Sequence, residues 1–117
     1  MDAIAPVVFA ALADGTRLTI VDMLARRGEL AASEISGVFA SSPSAVSQHL
    51  KVLREAGLVQ VRKRAQQRIY RLDTTAMDKT AQWLATRAKQ WNARLDAMES
   101  YIERIDEGVD DGKQRHQ

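Results

Sequence analysis

Cysteine is absent from the 117 residues, which excludes disulfides, thiolate metal sites, thiol redox sensing and cysteine nucleophiles. Aromatic side chains make up only 5% of the chain, too few for a single-strand binder built on stacking platforms. Histidine occurs only at His49 and His116, so an imidazole-rich metal centre has little to draw on. There is no glycine-rich phosphate loop, no nucleophile paired with a base and no carboxylate pair in a plausible cleft, and an enzyme is not expected. The longest apolar run, residues 3–13, is too short to cross a bilayer. Asp2 stands before it where a secretory signal would carry basic residues, so the expected location is the cytoplasm, with no membrane partner.

What is present is an ordinary globular composition, 45% hydrophobic and 27% charged. A chain of this size forms one small domain that gains from oligomerisation. The formal net charge is +2, but it is unevenly placed. Residues 41–72 carry Lys51, Arg54, Arg62, Lys63, Arg64, Arg68 and Arg71 against Glu55 alone, a local charge of +6. Residues 96–111 carry seven acids, Asp96, Glu99, Glu103, Asp106, Glu107, Asp110 and Asp111, against Arg104, a local charge of −6. Such a dipole draws a polyanion to one end and repels it from the other.

Periodicity predicts helices with one hairpin among them. Ile4, Val8, Ala11 and Leu12 share a face of a first helix, which Asp14 and Gly15 end. Asp14 then caps a second helix through about Ala25 that turns Leu18, Val21 and Leu24 inward, and Gly28 stops it. A short helix over residues 33–39 places Ile35, Val38 and Phe39 inward. Ser42 caps the next, Pro43 occupies its first position, and Gly57 follows its end at Ala56. Residues 58–63 and 68–72 alternate as two strands around a turn at 64–67. A long helix runs from Asp73–Thr74 to about Asp106. The expected domain is residues 1–107, followed by a polar, disordered tail at 108–117.

The helix from Pro43 carries two unlike faces. Val46, Leu50 and Leu53 form an apolar stripe that needs a core. Ser44, Ser47, Gln48 and Lys51 lie opposite, with Ala45 beside them, and these suit a major groove: glutamine can pair with adenine, serine with several base edges, alanine with a thymine methyl. Ser42 and the free N–H groups at the helix start suit a phosphate, and Lys51 and Arg54 can reach the flanking backbone. Such a face could equally be a plain solvated surface. The hairpin tip, Arg62-Lys63-Arg64-Ala65-Gln66-Gln67-Arg68, shifts that balance, because four cations without an acid fit phosphate or minor-groove contact.

Together these segments resemble the ArsR/SmtB family of small winged-helix repressors. The resemblance is carried by residues 11–17 (ALADGTR), by Gly28-Glu29-Leu30, by residues 44–59 (SAVSQHLKVLREAGLV) and by Tyr70-Arg71-Leu72, and continues into Trp83-Leu84 and residues 91–96 (WNARLD). It implies a mainly α fold with a small β-hairpin, four helices, two strands and a final helix, dimerising through the first and last helices. It further implies that Ser44, Ser47, Gln48 and His49 lie on the recognition helix and that residues 62–68 form the wing. Two positions depart from the family: Ala65-Gln66 stands where a glycine and an arginine are usual in the wing, and Gly15 where proline is frequent.

Family members often sense metals through cysteine pairs or Asp/His/Glu sets on the last helix. Here the thiolate sites cannot exist, and Asp96, Glu99 and Glu103 have no imidazole partner, so neither metal nor cofactor is expected. The last helix is marked instead by an apolar rhythm. Leu84, Ala88, Trp91, Leu95, Met98, Ile102 and Ile105 are spaced 4-3-4-3-4-3, a heptad seam. It either packs back on its own domain or meets a partner helix, and its length favours the partner. With the resemblance, the dimer interface is expected from Ile4, Val8 and Leu12 together with Leu84, Trp91, Leu95, Met98, Ile102 and Ile105. An unidentified small-molecule effector would sit between these helices.

The sequence thus points to a homodimeric regulator, a repressor or autorepressor, reading a pseudo-palindromic duplex. Its DNA contacts are expected from Ser42, Ser44, Ala45, Ser47, Gln48, His49, Lys51, Arg54, Arg62, Lys63, Arg64, Gln66, Gln67 and Arg68. The alternative is a winged-helix protein-interaction module whose basic surface meets an acidic partner without operator specificity.

Overall fold

A computed structural model describes residues 4–114, with side-chain environments through Gly108. The chain divides into two units, one up to Gln82 and one from Trp83 onward. In order, the elements are α1 (Ile4–Leu12), α2 (Gly15–Arg27), β1 (Glu29–Ala31), α3 (Ala32–Ser36), α4 (Pro43–Glu55), β2 (Val59–Arg64), β3 (Gln67–Leu72) and α5 (Thr74–Gln114).

In the first unit, the chain bends by about 100° between α1 and α2. Asp14 makes the second helix start there, since its carboxylate accepts the Arg17 N–H at 3.0 Å. Both helices turn apolar side chains into one core, with Val8 and Ala11 from α1 and Ile20 and Leu24 from α2 each no more than 2% exposed. Leu18, expected inside, is 52% exposed. Helix α2 has apolar residues at 18, 20, 21, 23 and 24, and spacing alone admitted either phase of so wide an arc. Helix α3 is shorter than expected: it starts at Ala32, buries Ile35 and ends before Gly37, leaving Val38 exposed. Its entry is held by the Ala31 N–H donating to Glu34 Oε1 at 2.9 Å.

Helix α4 starts at Pro43 and is capped by Ser42, whose hydroxyl accepts the Ala45 N–H at 3.1 Å. Its stripe of Val46, Leu50 and Leu53 is sealed in the core. At the other end Gly57 adopts φ +76°, and the Leu58 N–H reaches back to Leu53 O at 2.9 Å. That turn drives Leu58 into the core, fully buried, and launches β2.

The expected two-stranded hairpin is a three-stranded antiparallel sheet in the order β1-β3-β2. Strand β1 had been expected as a connection, because three residues of glutamate, leucine and alanine show neither period nor strand preference. It forms by pairing Leu30 with Tyr70 and Ala31 with Ile69 on the open edge of β3. Leu30, Val59 and Tyr70 are buried on the inner face. The outer face carries Glu29, Gln60, Arg62, Ile69 and Arg71. The wing turn is tighter than expected, with Arg64 paired to Gln67 and only Ala65 and Gln66 between them.

The second unit is the remainder of α5. Every residue from Leu84 to Gly108 is exposed, the apolar seam included. The helix runs past Gly108, where a polar tail had been expected, to Gln114, and residues 115–117 of that expected tail lie outside the described residues. A single glycine costs a helix about 1 kcal/mol relative to alanine, too little to end one this long. Among the described residues, no single helix is long and apolar enough to cross a membrane.

Ala65 is the one described non-glycine residue at positive φ, +55°. A left-handed conformation costs an L-residue about 1–2 kcal/mol, of which a glycine would give back roughly 0.4–1 kcal/mol through the freer unfolded chain. Ala65→Gly should therefore raise stability by up to about 1 kcal/mol. A denaturant midpoint that falls in the variant would show that the turn is not strained.

Candidate nucleic-acid interface

Because its apolar stripe faces the core, α4 must turn its opposite side outward. Ser42, Ser44, Ser47, Gln48, Lys51 and Arg54 are all exposed, and Ala45 is half-buried at their flank. Strand β3 extends this surface. Ser47, Gln48, Lys51 and Arg54 line one shallow depression with Arg68 and the edge of Tyr70. Ser33, Gln66, Gln67 and Arg68 line a second depression beside it. The helix face and the wing base are thus one continuous polar surface joined at Arg68, and Ser33 is part of it although no spacing along the chain marked that residue.

Charge on this surface is left largely uncompensated. Arg54, Lys63, Arg64 and Arg68 make no ion pair within 4.0 Å among the described residues. Lys51 has only Glu55, one turn along its own helix at 4.0 Å. A contact of that length between exposed groups is weak, so Lys51 remains available to an anion.

Arg62 behaves differently from the rest of the wing. It lies on the outer sheet face and donates to Glu29 at 2.7 Å, reaching across β3. That ion pair crosses the strand beside Ile69, which is only 8% exposed although it lies on the outer face. Arg71 donates twice to Gln60 Oε1, at 2.7 and 3.1 Å, and Gln60 in turn donates to Asp73 at 3.0 Å. The outer face is therefore self-neutralised. Of the expected wing contacts, Arg62 is the one already engaged within the chain.

His49 is also not where a freely exposed reading residue would be. It faces the start of α2, with Nδ1 3.1 Å from Arg17 Nη1 and 3.7 Å from an Asp14 carboxylate oxygen. Asp14 is held below the ordinary aspartate range, chiefly by the Arg17 N–H and in smaller part by the Arg17 charge, with desolvation opposing. Residues 11–17 carried the family likeness, but no spacing in the sequence tied Arg17 to His49, 32 positions away.

The expected dimer residues divide. Val8 belongs to the chain's own core, and Ile4 and Leu12 are half-buried against that core; α1 exposes Val7 and Phe9 instead. Val8 is therefore spent within the chain, while Ile4 and Leu12 keep part of their surface exposed. On α5, Leu84, Trp91, Leu95, Met98, Ile102 and Ile105 are between 41% and 60% exposed. No group of three or more His, Asp or Glu among the described residues is placed to hold a metal ion.

A core-packed helix exposing small polar side chains, followed by a two-stranded basic wing, defines a winged helix-turn-helix of the DNA-binding class. Comparison with known proteins gives the family. The model of the bacterial regulatory protein arsR family matches residues 14–61. The transcriptional repressor SdpR of Bacillus subtilis is 32% identical over 77 residues, 66% of this chain and 84% of SdpR. The HTH-type transcriptional regulator Rv2034 of Mycobacterium tuberculosis is 51% identical over 67 residues, 57% of this chain and 62% of that protein's length. A solved homodimeric winged helix-turn-helix DNA-binding domain from Mycobacterium bovis, from a possible ArsR-family regulator, has a TM-score of 0.57 at 30% identity and covers 79% of this chain and 82% of that one. The chain belongs to the ArsR family of transcriptional regulators.

The Glu29–Arg62 pair sets a pH dependence. The Arg62 hydrogen bond, more than its charge, holds the Glu29 carboxyl below the ordinary glutamate range, with desolvation opposing. A lowered carboxyl pKa stabilises the fold above the ordinary glutamate range and loses that contribution as the pH falls through the lowered value. Thermal midpoints of wild type and Glu29→Gln should therefore differ near neutral pH and converge as the solution is acidified below the ordinary glutamate range. A gap that stays constant to pH 3 would count against the pair.

Proposed function

We propose that the protein is a homodimeric, sequence-specific DNA-binding repressor that occupies a pseudo-palindromic operator in the cytoplasm. The observation that carries this reading is the single exposed surface joining the polar side of α4 to Arg68 of the wing, which makes no ion pair among the described residues. Ser44, Ser47 and Gln48, with Ala45 at the edge, read base edges in the major groove. Ser42, Lys51, Arg54, Lys63, Arg64 and Arg68 hold phosphates, Gln66 and Gln67 lie at the wing tip, and Arg62 contributes only by leaving Glu29. Repression follows from occupancy: a dimer seated over a promoter excludes polymerase, in keeping with the name of SdpR.

Pairing rests on the α5 seam. An isolated helix in water is marginal, and one with six large apolar side chains exposed along a heptad stripe gains most from a second copy. The solved Mycobacterium bovis relative is homodimeric. Two recognition helices related by a two-fold axis would then meet half-sites about one helical turn apart.

Duplexes selected from a random pool provide the test. Gln48→Ala should lose about 1–3 kcal/mol on the selected site and little on random duplex. Arg68→Ala should weaken both alike and lower the salt slope by about 1. If the wild type recovers no consensus from the pool, the surface serves an acidic protein partner instead. Leu95→Glu should shift the dimer to monomer in light scattering and reduce operator affinity, whereas Lys89→Glu, off the seam, should leave the mass unchanged. A Leu95→Glu protein that stays dimeric would rule out the seam.

A further inference from the structure

Where α1, α2 and α4 meet, three polar side chains are arranged in a way that the reading surface does not by itself require. The Arg17 guanidinium is tied to the last turn of α1, with Nε donating to Ala11 O and Nη2 to Ala10 O. Its remaining nitrogen, Nη1, meets His49 Nδ1 on the recognition helix at 3.1 Å. Guanidinium nitrogens only donate, so Nδ1 must accept, and the neutral imidazole then carries its proton on Nε2. The competing arrangement is an Nδ1–H given to Asp14. At 3.7 Å that is too long for a hydrogen bond, and the same carboxylate oxygen already accepts the Arg17 N–H.

The other side of the ring has a consequence. Nδ1 accounts for the hydrogen bond and the ion-pair contact of the His49 ring among the described residues, and no buried side-chain nitrogen or oxygen among them lacks a partner. Nε2–H therefore reaches solvent. It does so from the flank of α4 that carries Ser42 and Ala45, which precede His49 by seven and four residues and so share its side of the helix. An outward N–H can donate to a phosphate or base oxygen, whereas the other tautomer would present a lone pair and repel it.

We propose that Arg17 is a positioning residue for DNA reading, fixing His49 as the Nε2–H tautomer so that the recognition helix presents one more outward donor to an acceptor oxygen of the duplex. The proposal rests on the DNA-binding function above. Arg17 itself need touch no DNA. Because its guanidinium also grips the end of α1, the donor on α4 is set by the geometry of the α1–α2 corner.

The tautomer can be read directly. In the full chain with His116→Gln, leaving one imidazole, a long-range ¹H–¹⁵N spectrum near pH 8 should show the His49 proton on Nε2; a proton on Nδ1 would overturn the proposal. Arg17→Met should let the two tautomers mix and weaken binding to the selected duplex about five- to tenfold. His49→Phe should lose as much, and the double variant no more than either single one. A His49→Phe protein that binds like the wild type would overturn the proposal even if Arg17→Met fails to fold. A wild type that binds no duplex would overturn the underlying function too, while its imidazole spectrum would still report whether Arg17 fixes the ring.

Discussion

The burial of Val46, Leu50 and Leu53 fixes the rotation of α4 about its own axis, and the rest of the surface follows from it. Each of these side chains is no more than 2% exposed, and a turn of one residue position, about 100°, would carry the stripe away from the core. Fully burying an aliphatic side chain is worth about 1.5–3 kcal/mol, so the three together hold the orientation far more firmly than any polar contact on the outer side could. The reading face is thus specified from within. Serine and glutamine have no packing preference strong enough to aim themselves; the leucines behind them do it.

The same inward pull explains which parts of the molecule were legible in the sequence. Helix α4, with its serine cap, proline start and glycine stop, was readable because its signals are local and agree with one another. So were the wing and the seam, whose periods run long enough to count. Strand β1 was not, because a three-residue strand exists only through a partner forty residues away. The phase of α2 and the burial of Val8 in α1 were not legible for a related reason: short helices with apolar residues on several sides do not declare which side faces the core. The Arg17–His49 and Glu29–Arg62 contacts, at separations of 32 and 33, depend on two elements meeting in space, and no pattern along the chain encodes such a meeting.

Electrostatics divide the wing into two surfaces of different character. One side is balanced internally by Glu29 and Asp73, with Arg62 and Arg71 committed to neighbours. The tip and the side toward α4 carry Lys63, Arg64 and Arg68, none of which makes an ion pair within 4.0 Å among the described residues. A uniformly basic wing would bind anions from any direction; this one favours approach from α4.

The junction between β2, β3 and α5 has a mechanical implication. The Asp73 N–H donates to Leu58 O at 2.9 Å, while its carboxylate holds Gln60, caps Thr75 and is kept below the ordinary aspartate range by those bonds. One residue therefore ties the root of the wing to the first turn of the helix that follows. A displacement of that first turn would have to drag the strand root with it or break several bonds at once.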